Sequence, residues 1–197
     1  GVETSVSLAW PKNAQNVAVK WNWKTEYAVT VNGAVTWVEA DSVFAVEAPA
    51  APDEAQFFHS WDGDVPKFET FSPTFELGVT KPMALTATYA PVTRVTAADA
   101  EADVDALKNA INSVGKSATP VVVLVDDGVY TMNAASRAYQ CVLTAPIVIR
   151  SVNGSAKTSI TNTVDLGMFD ASSGANKSAI VGFTLVGSTS ATDNIVQ

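Results

Sequence analysis

The chain has 197 residues, of which 47% are apolar, a formal net charge of −8 and a single cysteine. The acidic balance argues against a nucleic-acid partner, whose phosphates need clustered Lys and Arg, and against an anionic membrane surface. No apolar run reaches the roughly 20 residues of a transmembrane segment. The length accommodates one or two domains with a real core. The chain opens at Gly1 without a basic leader, as expected of a processed or excised fragment.

Residues 1–91 read as a small antiparallel β domain, a sandwich or an open sheet. Residues 1–24 form a leading segment: Val2–Trp10 alternates weakly and Pro11-Lys12-Asn13 then breaks it. Val17, Val19, Trp21 and Trp23 follow on one face of a period-two pattern. Tyr27–Val31 runs into Asn32-Gly33, a strong hairpin signal. Val35–Val38, Ser42–Ala48, Phe57–Trp61 and Met83–Tyr89 are further predicted strands, with Pro49, Pro52, Pro66, Pro73 and Pro82 between them. Asp62 and Asp64 flank Gly63. They read as turn-forming carboxylates or, alternatively, as ligands of calcium, an ion that takes about six to eight oxygens. Two are too few, so no cofactor is expected. Trp61 reads as core, while Trp21, Trp23, Trp37 and Trp61 are the aromatics available for packing or for stacking on a sugar. His59, the one histidine, reads as a partly exposed strand residue without a second metal ligand beside it.

The run Phe57-Phe58-His59-Ser60-Trp61-Asp62-Gly63-Asp64, followed by Leu85-Thr86-Ala87-Thr88-Tyr89-Ala90-Pro91, resembles the divergent internalin-type B repeat of bacterial surface proteins. Such repeats carry an F-x-x-W-x-G-D core and end in a T-A-x-F/Y strand, and Trp23–Val31 resembles their entry strand. The glycine pair usual after that strand is reduced to Gly33. The resemblance covers roughly residues 22–91 and implies an extracellular spacer or adhesive unit without enzymatic activity.

Pro91 is expected to close the first domain, with residues 92–197 forming the second. Thr96-Ala97-Ala98-Asp99 reads as a capping box with Asp in the place of Glu. Ala98–Val114 is predicted as one amphipathic helix, with acids early in it, Val104, Leu107, Ile111 and Val114 on its apolar face, and Gly115 as its stop. Beyond it lie short apolar runs: Val121–Val125, Gly128–Met132, Gln140–Leu143, Ile147–Arg150, Thr158–Ile160, Leu166–Phe169, Ser178–Val181 and Phe183–Val186. Asp126-Asp127-Gly128 and Asn153-Gly154 supply turns. The spacing is too tight for helical crossovers, so strands stacked coil on coil fit best. Ile147-Val148-Ile149 is matched to Ala179-Ile180-Val181 as one repeat. The helix is expected to cap the open end of the first coil through its four apolar residues.

Asp126-Asp127-Gly128-Val129-Tyr130, then Pro146-Ile147-Val148-Ile149-Arg150-Ser151-Val152-Asn153-Gly154 and Gly182-Phe183-Thr184-Leu185, resemble the opening of right-handed parallel β-helix proteins of the pectate-lyase-like superfamily. This covers about residues 93–190. The fold class is therefore mainly β, an antiparallel domain followed by a helix-capped and incomplete parallel β-helix. No catalytic set emerges. Asp126 and Asp127 are explained by their turn, Arg150 by its strand end, and Asp165 and Asp170 do not fall on one surface. Cys141 reads as a small buried hydrophobe. The expectation is a non-catalytic module of a bacterial surface or secreted protein, partnered by itself or by the rest of a larger protein and assembling by strand addition or solenoid stacking. The alternatives are the N-terminal part of a β-helix polysaccharide lyase or hydrolase, and a carbohydrate-binding module.

Overall fold

Asn32 (φ 48°) and Gly33 (φ 85°) both take the left-handed conformation that a two-residue hairpin demands. β1 (Glu26–Val31) therefore folds back antiparallel on β2 (Ala34–Glu39), with Val31 opposite Ala34. The computed structural model describes residues 12, 20, 22–114, 119–132, 139–143, 146–162, 167–170 and 177–187. The expected strand Val2–Trp10, Trp21, the stop at Gly115 and Asp165 lie outside these residues.

Four more strands complete the first half: β3 (Ser42–Glu47), β4 (Gln56–Gly63), β5 (Thr74–Val79) and β6 (Met83–Val95). β4 and β6 pair antiparallel, β1 joins β6 in parallel, and β3 pairs β5 as a separate two-stranded sheet. Val29, Phe58, Trp61, Leu85 and Ala87 from the larger sheet pack against Val46, Leu77 and Val79 from the smaller one. β5 was not among the predicted strands, although Phe75, Leu77 and Val79 alternate with polar or small residues.

β6 does not stop at Tyr89, nor is it broken by Pro91. Bonding passes to Val92, whose N–H donates to Ala55 O at 3.0 Å. Val92–Val95 then pairs in parallel with β7 (Val121–Val125). One strand thus belongs to both halves, and a single sheet runs in the order β13-β10-β7-β6-β1-β2.

Between β6 and β7 the chain is helical, in two pieces. Thr96 Oγ1 accepts from the Asp99 N–H, and the Asp99 carboxylate accepts from the Thr96 N–H at 2.7 Å, which starts α1 (Ala97–Ala102). Asp103 turns extended (φ −141°) and ends it. Its carboxylate accepts from Asp105 N and Asn109 Nδ2, each at 2.9 Å, and opens α2 (Ala106–Val114). The predicted single helix is thus divided by a residue whose short acid side chain bonds local N–H groups in preference to continuing a helix. Leu107 and Ile111 are buried and Val114 is partly buried against the same cluster. Val104 falls in the break and is 46% exposed, so it is not part of that face.

The remaining strands are β8 (Gly128–Met132), β9 (Tyr139–Val142), β10 (Ile147–Ser151), β11 (Thr158–Asn162), β12 (Gly167–Asp170), β13 (Ala179–Val181) and β14 (Thr184–Val186). All pair in parallel, as three ladders: β7-β10-β13, β8-β11-β14 and β9-β12. Val123, Val125, Ile147 and Ile149 from the first ladder, Tyr130, Met132 and Ile160 from the second, and Cys141, Met168 and Phe169 from the third form one cluster with Leu107 and Ile111. The β10–β13 register is one residue off the expected match: Ile149 sits opposite Ile180, and Val148 opposite Ala179. A one-residue shift exchanges the faces of a strand, and this register sends the isoleucines to the ladder-enclosed side. β7 and β10 are buried at every position, because their outer face is covered as well. Val122 and Val148 on that face pack with Ala90, Phe57 and Phe71 of the first half.

Candidate functional site

Of the sequence-predicted site residues, the acids are spent on lysines. Gly63 (φ 99°) lets the turn after β4 close, and its two neighbours point to different partners. Asp64 accepts from Ala84 N at 3.1 Å and from Lys81 Nζ at 3.0 Å. The backbone N–H first, and the lysine second, hold its carboxyl below the ordinary value. Asp62 instead receives Lys177 Nζ at 2.5 Å, across to the other half. Among the described residues no group of three or more His, Cys, Asp or Glu is placed to hold a metal.

The described tryptophans differ in burial. Trp61 is 1% exposed, donates its indole N–H to Ser72 O at 2.8 Å and packs on Phe58 and Phe75. It is core, and no ligand reaches it. Trp37 lies opposite Ala28, while the adjacent pair Val29–Thr36 faces the core side. Trp37 therefore faces outward, 67% exposed, and Trp23 is 89% exposed.

The chemistry-bearing side chains that do converge meet at the seam between the halves. A register shift between Phe58 and Ser60 bulges β4 at His59. A bulge places two successive residues against one partner and redirects a side chain. His59 is consequently 1% exposed, not a partly exposed strand residue. Its Nε2 lies 3.0 Å from the Pro146 carbonyl and its Nδ1 3.0 Å from Ser60 Oγ. A carbonyl only accepts, so Nε2 carries the proton and the neutral ring accepts from Ser60 through Nδ1. Ser60 Oγ in turn lies 2.9 Å from Thr88 Oγ1, which donates to Ser60 O at 2.8 Å. Burial, above all, lowers the affinity of the ring for a second proton.

Arg150 enters the same seam from β10. It is 8% exposed, lies over the Phe58 ring at 5.9 Å and donates through Nη2 to Phe71 O. Its Nε has no acceptor among the described residues. Phe71 also meets the His59 ring edge-on at 6.4 Å. From sequence, Arg150 is explained by its strand end; a charge directly after the apolar run Ile147–Ile149 was the signal that could have marked it as buried.

Elsewhere the reactive groups are muted. Cys141 is fully buried, and burial pushes its thiol up to about 12, far from a nucleophilic thiolate. Tyr130 is pushed up to about 12 by burial, then by Asp126, and donates to Asp126 O at 3.0 Å. Arg94 grips Asp126 at 2.7 Å, and Asn153 Nδ2 donates to Asp127 at 3.0 Å. These pairs line a shallow cleft beside Thr96 and Val152. Comparison with protein-family models, with curated proteins and with solved structures finds no match to this chain.

Proposed function

We propose that the chain is a non-catalytic structural or adhesive module of a bacterial surface or secreted protein. In this reading the first half is a divergent internalin-type repeat, and the three parallel ladders are the opening coils of a right-handed parallel β-helix covered at their start by α1 and α2. The observation that carries it is the use made of His59, Arg150, Asp62 and Lys177. These side chains, the ones suited to acid–base or polysaccharide chemistry, tie one half to the other. The shared strand β6 supports the reading by pairing with β4 on one side of the joint and with β7 on the other. A spectrophotometric screen on pectin, alginate and chondroitin with calcium tests this. No unsaturated product is expected, and product formed by this chain would replace the reading with a polysaccharide lyase.

A carbohydrate-binding role is a second reading, favoured by the outward, 67% exposed Trp37 beside Val35 at 57%. Quenching of tryptophan fluorescence by a glycan series, abolished in Trp37→Ala, would support it. Self-association by strand addition or solenoid stacking is tested by sedimentation velocity over a wide concentration range, and a single monomeric species throughout would end it.

A further inference from the structure

We propose that His59 is a proton-sensitive latch: neutral, it fastens the antiparallel half to the parallel ladders, and protonated, it loosens that seam. The geometry is that of a joint. The imidazole sits on a bulge of β4, is almost wholly buried, and reaches the carbonyl of Pro146, the residue that leads into β10. That carbonyl also accepts from Val121 N at 3.2 Å, so the ring is anchored where β7 and β10 begin together.

Protonation leaves the hydrogen bonds formally intact, since Nδ1 can donate to Ser60 and Ser60 to Thr88. What changes is charge. The charged groups acting on the ring are, largest first, Lys177 before β13, which opposes a second proton, Asp62 on its own strand, which favours one, and Arg150 on β10, which opposes it. Asp62 is committed to Lys177. Arg150 has only a carbonyl and an aromatic face as partners among the described residues, with no carboxylate. A second buried cation in the same seam has no carboxylate of its own to pair with, and a buried charge without a dedicated partner drives a structure toward solvating it. Separation of β4 from the outer face of β7 and β10 admits water and is the available relief. Val122, Val148, Phe57 and Phe71 would then lose their apolar contacts.

The sequence has one histidine, so its imidazole signals in an NMR titration report this group alone. In the folded chain the ring is expected to titrate below 6.5, the ordinary value, and at that value in urea. As the ring takes up its proton, exchange protection at the Val121 amide, which shares the Pro146 carbonyl with the ring, is expected to fall. His59→Gln keeps a donor for Pro146 O without titrating, and its protection is expected to stay flat over the same range. A folded-state titration at or above 6.5, or an identical loss of protection in His59→Gln, overturns the latch.

Discussion

Gly63 offers the sharpest test of how the first half is held together. Its φ of +99° strains any L side chain, at a cost of roughly 1–3 kcal/mol. An added Cβ would stand 2.1 Å from the Ala84 carbonyl oxygen and 3.1 Å from its carbon. Backbone cannot swing aside as a side chain does. β4 and β6 must part at the Gly63–Leu85 pair, stretching the 2.9 Å bond from Asp64 N to Ala84 O, which adds about 1 kcal/mol. Gly63→Ala should therefore lower the unfolding free energy by about 2–4 kcal/mol. Gly33 is the control. It also has positive φ (+85°), but its Cβ would meet nothing within 4 Å, so Gly33→Ala should lose only about 1–2 kcal/mol. Urea unfolding of both variants, followed by circular dichroism, measures the difference. Equal losses would refute the argument that Ala84 excludes a side chain at residue 63.

Ile111→Ala removes a fully buried side chain beneath α2 and should cost about 2–5 kcal/mol in urea unfolding, whereas Val104→Ser, at a residue 46% exposed, should stay within about 0.5 kcal/mol. Thr96→Ala breaks the capping box and should lower stability by about 1 kcal/mol, with the Asp99 carboxyl rising toward its ordinary value in an NMR titration. Cys141 should ignore a thiol reagent in the native chain at mildly alkaline pH and react fully in guanidinium; stoichiometric native labelling would contradict its burial. Because the folded His59 holds its proton less tightly than the unfolded one, its contribution to stability is complete above pH 6.5 and is lost as pH falls below it. Asp64 and Asp99 contribute in a separate window, since their depressed carboxyls titrate below 3.8. Urea midpoints across the upper window should fall with pH in the native chain and stay level in His59→Gln.

Local patterns were legible wherever one face of an element sees the core and the other sees water. Asn32-Gly33 announced its hairpin, Thr96 and Asp99 their cap, and the β-branched run Val121–Val125 its strand. The division of the helix was harder to read, because acids early in a helix serve the dipole and an interior N-cap equally well. Asp103 does the second. The β10–β13 register was hidden because Ile147, Val148 and Ile149 are all apolar, so alternation cannot say which two face inward.

Hydrophobic spacing and turn chemistry were enough to settle that the chain is mainly β and where most of its short strands lie, but not that β1 would join β6 in parallel within a first half expected to be wholly antiparallel. The first two are near-neighbour properties of the backbone. Which residues form the seam was decided only by tertiary packing. His59 meets Pro146, and Arg150 meets Phe71, across 87 and 79 residues of chain, and β6 serves both halves by pairing with β4, β1 and β7 at different points along its length. No local pattern encodes such partners. Burial of a histidine and an arginine is tolerable only where the two halves close on them, and that closure is a property of the assembled molecule.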